Sequence, residues 1–255
     1  MDAVFDIDKL DNLKSLHAHE EDLRAQSLKI VAADPTLSEL LFLVSNAMGV
    51  FLGFSQDHKT RSVDELTIQY FAIRLFNTTG VSIKLALGGY VQQALSHMRD
   101  VMEIAFLLDY FCTHPEEIKV WRESDKKTRL SKFGPKHIRK ALDVRDGNQE
   151  QKRKKAYDVL CEYATHTTYH GFSLINMDGR GQVGPFVDES KLRAWLQEVA
   201  LRVLPAAELV GQHFPDGDAQ VVALYTDYRA QLSEWWRRQQ GGAVKRSEAL
   251  KPPEN

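Results

Sequence analysis

Helical spacing of apolar positions runs through most of the chain, and short polar or Gly/Pro breaks divide it into segments. Residues 9–33 carry Leu10, Leu13, Leu16, Leu23 and Ile30 at that spacing. They stop before Asp34-Pro35, where Pro35 suits the first turn of a second helix reaching about Gly53. "SVDE" at Ser62 to Glu65 has the form of a capping box and predicts a helix past Gly80 to Leu87. Gly88-Gly89 break it, and "YVQQALSHMRDVMEIAFLLDYF" predicts a long central helix stopped by Thr113-His114-Pro115. "PEEIKVWRE" starts a short helix, with further helices over 136–145, about 149–170, 188–213 and 217–238. Only "FSLINMDGRGQVGPFV" alternates, around Asp178-Gly179, so extended structure is confined to about 172–187. The polar, Gly/Pro-containing tail 239–255 reads as disordered. The expectation is an all-α fold: a single-domain multi-helix bundle over residues 1–238 with one small β-hairpin insertion.

The central helix carries charges that its apolar character does not call for. At about 100° per residue, Val91, Leu95, Met98, Met102 and Ala105 share one face. Arg99 and Glu103 are four apart and therefore neighbours, in a stripe continued by Gln92, Ser96 and Tyr110. Asp109 falls on the apolar face and must find a partner there. Two readings stand side by side. Arg99–Glu103 is an intrahelical ion pair, worth only about 0.3–0.5 kcal/mol where exposed, or it belongs to a functional polar pocket.

A second constellation lies in "YDVLCEYATHTTYHGF", where Glu162, His166 and His170 fall at four-residue steps. On one helix, two histidines so spaced can chelate a divalent ion. No glutamate directly follows the first of them, and no metal or cofactor is expected. The alternatives are histidines at the negative end of a helix dipole, with Gly171 as the cap, or hydrogen-bonding pocket residues. A half-buried guanidinium has five donors, and Glu103 can occupy only some of them. The Glu162–His170 helix is therefore expected to face the Arg99–Glu103 stripe, with His166 or His170 in direct or one-water reach. Gly179, Gly181 and Gly184 spell G-x-G-x-x-G, but Pro185 follows at once and the glycines sit in the hairpin, so turn geometry explains them. His17 and His19 lie on different helix faces, and Trp235-Trp236 read as packing anchors for the last helix.

A net charge of −2 hides an asymmetry. Between Lys126 and Lys155 twelve Lys and Arg face three acids, a local balance of +9. Lys126, Lys127, Arg129, Lys132, Lys136, Arg139, Lys140, Lys152, Arg153, Lys154 and Lys155 are the candidate cations for RNA or a nucleotide. The alternative is a solvated surface, or a partner for the acidic remainder within the chain, across a homo-oligomer or on another protein. Two cysteines in apolar patterns, an acidic N-terminus without an apolar core segment, and no spanning run suggest a cytoplasmic chain without membrane insertion. "LSELLFLVSNAMGVFLGF" comes nearest to a span but holds Glu39, Ser45 and Asn46.

Gly89-Tyr90-x3-Ala94-x4-Arg99-x3-Glu103, then Pro115, Trp121 and "YATHTTYHG", resemble an uncharacterised family of bacterial and phage-borne helical proteins. More loosely they resemble the HEPN superfamily of helical nucleotide- and RNA-associated domains. Over roughly residues 70–175, the resemblance implies functional roles for Arg99, Glu103 and His166, with His170 beside them. Active HEPN ribonucleases carry an arginine followed after four to six residues by a histidine on one helix, and no arginine here has that spacing. Two functions follow: a helical interaction or regulatory protein, in a defence or toxin–antitoxin setting, or an enzyme acting on RNA or a nucleotide. In the second, Arg99 would hold phosphate, Glu103 would share the pocket, and His166 and His170 would exchange protons as catalytic residues.

Overall fold

A computed structural model describes residues 11–249, with side-chain surroundings through Gln239. Leu10, the acidic N-terminal segment up to it and residues 250–255 of the tail lie outside the described residues. The fold is an all-α bundle with one two-stranded hairpin. Its helices are α1 (Asp11–Ala33), α2 (Pro35–Leu52), α3 (Val63–Leu87), α4 (Val91–Thr113), α5 (Glu117–Glu123), α6 (Lys126–Phe133), α7 (Pro135–Arg145), α8 (Lys152–Leu160), α9 (Glu189–Gln212) and α10 (Ala219–Ala249). The last helix continues past Arg238, into the stretch read as a disordered tail.

The local signals act through the groups the sequence offered. The Asp34 carboxylate accepts from the Thr36 and Leu37 amides ahead of Pro35, closing orphan donors of α2. Ser62 Oγ accepts from the Glu65 amide at 3.0 Å, but Glu65 reaches back to the Arg61 amide at 2.6 Å, one residue beyond the Ser62 amide that a reciprocal box would use. Gly89 has φ +92, and a Cβ there would meet the Phe186 backbone at 2.7 Å, so the turn into α4 requires glycine.

Helix α4 runs through the middle of the molecule, packed most extensively on α3 and α9 and along its length on α7 and α8. Its buried side, Val91, Ala94, Met98, Val101, Met102, Ile104, Leu108 and Phe111, is wider than one stripe because neighbours cover it on more than one side. Trp195 of α9, fully buried, donates its Nε1–H to Ser82 Oγ at 3.0 Å, and Ser82 donates to the Ala94 carbonyl at 2.9 Å. One hydroxyl thus satisfies three helices in the dry core.

Pro35–Asp57, including a wide π-helical turn at Gly53–Asp57, is long and apolar enough in length and composition to cross a membrane. Glu39, Ser45 and Asn46 interrupt its apolar run but leave the helix above that length and hydropathy. In the fold this helix is a core element, with Leu37, Leu40, Leu43, Val44, Ala47, Val50 and Phe51 buried by its neighbours.

Extended structure is smaller than the 172–187 expected. Asn176–Met177 (β1) pairs antiparallel with Arg180–Gly181 (β2) across Asp178-Gly179, whose φ values of +54 and +80 give the primed turn that such a pair favours. Residues His170–Ile175 before it form a 3₁₀ turn. Gly179 and Gly181 of the G-x-G-x-x-G string lie in this hairpin and Gly184 in the loop after it, none of them opening a helix. Of the tryptophan pair, Trp235 is buried and Trp236, edge-on to it at 4.5 Å, remains exposed, so only one is an anchor.

Candidate functional site

Arg99 Nε donates to Glu103 Oε1 at 2.9 Å, and both side chains keep about 30% of their surface, 30% and 29%. The stripe is half-buried, as its flanking apolar residues require. What completes it is Tyr157 of α8, whose hydroxyl donates to the same Glu103 oxygen at 2.6 Å. The Arg99 guanidinium carbon lies 5.3 Å from the Tyr157 ring centroid, and that of Arg139, from α7, lies 4.1 Å from it. Burial first, and then the bond to the Glu103 carboxylate, push the Tyr157 phenol up to about 12. Arg99, Glu103, Tyr157 and Arg139 therefore form one polar seam across three helices.

On the open side of the seam, Ser96, Arg99, Asp100, Glu103 and Thr165 line a shallow groove of about 240 Å³. Asp100 is held by Arg74 of α3 through two bonds of 2.9 and 2.6 Å and by the Thr78 hydroxyl at 3.2 Å. Gln92 donates to the carbonyls of Tyr163 and Gly171, at 3.3 and 3.0 Å, fastening the segment after α8 to α4.

That segment packs on α4 as expected, but not as a helix carrying two histidines on one edge. After Leu160 the chain makes a π-helical turn, Cys161–Thr165, and leaves it with His166 extended at φ −91, ψ 151. The threonines explain the exit. Thr165 and Thr168 donate their hydroxyls to the carbonyls of Leu160 and Glu162, at 3.2 and 2.5 Å, so side chains compete with the helical ladder. His166 is exposed. His170, also exposed, meets Glu162 at 2.8 Å and opens the 3₁₀ turn, so Gly171 is not the cap of a helix ending there. Among the described residues, neither histidine hydrogen-bonds Arg99 or Glu103, and no three His, Cys, Asp or Glu side chains converge as a metal-binding cluster. Of the four residues expected to share a pocket, Arg99 and Glu103 are brought together, and the two histidines are turned outward.

The basic segment folds as α6, α7 and α8, and intramolecular acids neutralise part of it. Asp109, the charge stranded on the apolar face of α4, accepts from Arg145 at 2.8 and 3.2 Å and lies 3.7 Å from Arg153. Arg153 also meets Asp143, at 2.9 Å, and Asp146. The hydrogen bonds from Arg145 and Arg153 hold the Asp146 carboxyl down at about 2. Lys132 pairs with Glu117, Lys152 with Glu150 and Lys154 with Asp158, at 2.7, 3.2 and 2.6 Å. Lys126, Lys127, Arg129, Lys136, Lys140 and Lys155 are exposed and make no ion pair among the described residues. Arg139 differs from all of them. It is 8% exposed and, among the described residues, has no carboxylate partner and leaves its Nη1 without an acceptor. It lines a cleft of about 820 Å³ between α7, α8 and the loop joining them.

One other pairing has the look of chemistry. Cys112 Sγ lies 3.4 Å from His213 Nε2, the contact an activated thiol needs. His213 Nε2 is also 3.0 Å from the Leu108 carbonyl oxygen, so this nitrogen carries the proton and has no lone pair for the thiol. Burial, with Asp109 nearby, pushes the thiol up to about 11. The pair is a packing contact. Tyr157 and the special standing of Arg139 were not singled out in sequence. The 153, 157, 160 spacing on α8, which places Arg153, Tyr157 and Leu160 on one face, is the signal that could have found the tyrosine.

Comparison with protein-family models, curated proteins and solved structures yields no match to this chain.

Proposed function

We propose that this chain is a non-catalytic helical binding protein that takes RNA on the basic face of α6–α8, with the Arg99–Glu103–Tyr157 seam holding that face on the bundle. The observation that carries the reading is the sorting of the cations. Four of the eleven candidates pair with carboxylates, whereas Lys126, Lys127, Arg129, Lys136, Lys140 and Lys155 stay exposed and, among the described residues, unpaired over the three helices. Unpaired, solvated cations are what a phosphate backbone neutralises with release of its counterions.

The test is binding of a 3′-labelled, single-stranded RNA of about 20 nucleotides, followed by fluorescence anisotropy at low salt. The reading expects saturable binding, and loss of most of it when those six cations are changed to glutamine. Binding that survives the sixfold change would contradict it. A second reading rests on Thr165, which brings the chain just before His166 into the groove with Arg99 and Glu103. It is an enzyme on RNA in which His166 swings inward, and it requires RNA cleavage that His166→Ala abolishes.

A further inference from the structure

Among the described residues, Arg139 is the one cation of the basic segment that is neither solvated nor paired with a carboxylate. A buried guanidinium with an idle Nη1 costs free energy unless an acceptor reaches it. Arg139 lines the α7–α8 cleft, while Nη1 itself is closed to solvent, so a ligand entering there meets the rest of the side chain before that nitrogen. Lys136, Arg139 and Lys140 lie at i, i+3 and i+4 on α7 and so share one helix face, while Lys154 of α8 lines the same cleft. Asp143, the acid among them, is already engaged by Arg153 and Asn148, at 2.9 and 3.2 Å.

The start of α8 gives a second, independent pointer. Its N-cap, Gln151, sits at φ +52 and makes no side-chain cap, and the first turn holds Lys152, Arg153 and Lys154 with no acid. The three cations are already met by carboxylates, so it is the uncapped amides at the positive end of the helix that favour an anion there. Gln151 lines the cleft, so this helix end opens onto it.

We infer that the α7–α8 cleft is a binding site for a phosphate monoester, seated on Arg139 with Lys136 and Lys140 around it. A monoester carries a charge of about −1.5 to −2 and three acceptor oxygens, which suits one planar guanidinium and two ammonium groups better than a singly charged internal diester does. A recess of about 820 Å³ is also the size class of a small-ligand pocket rather than a track for a continuous backbone. Two sources share this chemistry, the phosphorylated 5′ end of an RNA strand and a free nucleotide. The inference rests on the RNA reading in the first case and stands without it in the second.

The experiment uses the full chain and two matched pairs of ligands. One is a 3′-labelled RNA with a 5′-phosphate or a 5′-hydroxyl, read by anisotropy. The other is adenosine 5′-monophosphate or adenosine, read by calorimetry. The phosphorylated member of at least one pair is expected to bind about tenfold or more tightly. Arg139→Gln should erase that preference, and so should Lys136→Gln/Lys140→Gln, whose exposed side chains can be changed without disturbing the core. A preference in the RNA pair assigns the strand end, and one in the nucleotide pair alone assigns a free nucleotide. Equal affinities within both pairs overturn the inference, as does a preference that the double lysine variant retains. Absence of all RNA binding contradicts the RNA reading alone, because the nucleotide pair still decides the cleft.

Discussion

Replacing Tyr157 with phenylalanine removes one oxygen and keeps the ring that Arg139 and Arg99 approach at 4.1 and 5.3 Å. The loss is therefore the 2.6 Å bond to Glu103 and little else. A hydrogen bond to a charged acceptor contributes about 1.5–3 kcal/mol. Glu103 keeps 29% of its side-chain surface, so water recovers part of that. We expect about 1–1.5 kcal/mol of destabilisation, or a Tm lower by about 2–5 °C in a protein of this size. Urea unfolding followed by far-UV circular dichroism at pH 7 gives the number. A cycle with Glu103→Gln isolates the coupling, expected at about 0.5 kcal/mol or more. The phenol adds a pH signature. Its folded pKa, about 12, is above the ordinary 10, so its contribution is complete below pH 10 and is lost as pH rises towards 12. Tyr157→Phe should flatten the alkaline decline across that window. A change within about 0.3 kcal/mol at pH 7, with no coupling to Glu103, would refute the seam as a cooperative unit.

Other elements make separate predictions. Asp146, held at about 2 by Arg145 and Arg153, contributes stability that is complete above pH 3.8 and lost as pH falls towards 2; Asp146→Asn should flatten the acid limb of an unfolding titration there. Cys112, with its thiol pushed up to about 11, holds only about a thousandth of its molecules as thiolate at pH 8. Mass spectrometry should find it alkylated far more slowly by iodoacetamide in the folded chain than in urea, and equal rates would contradict its burial. A methyl group added by Gly211→Ala would run into the Tyr225 ring between α9 and α10. That change should cost about 1–3 kcal/mol in the same unfolding assay.

The helices were legible because their signals are local. Asp34-Pro35, Ser62 with Glu65 and Gly88-Gly89 act within one turn of chain, and each marks a boundary that the fold keeps. The apolar stripe of α4 was legible too, and so was the need of Asp109 for a partner, although only the fold names Arg145 and Arg153. The histidine edge failed for a reason that spacing cannot express. Steps of four mean one face only while the helix lasts, and this helix gives way at Thr165 because threonine hydroxyls take its carbonyls. The basic segment was legible as composition and not as chemistry. Arg139 and Arg153 look alike in sequence, yet one is buried without an acceptor and the other sits among three carboxylates.

The salt dependence of RNA binding decides whether the unpaired cations of α6–α8 meet a phosphate backbone. For a single strand, the logarithm of the binding constant falls with the logarithm of salt concentration with a slope of about −0.7 per phosphate neutralised. Four to six contacts from the unpaired cations of α6–α8 predict a slope of about −3 to −4 for the full chain. In the variant with Lys126, Lys127, Arg129, Lys136, Lys140 and Lys155 changed to glutamine, the slope should collapse towards zero. A slope near zero in the unaltered chain, or one that the sixfold variant leaves unchanged, would contradict the assignment of this face to RNA.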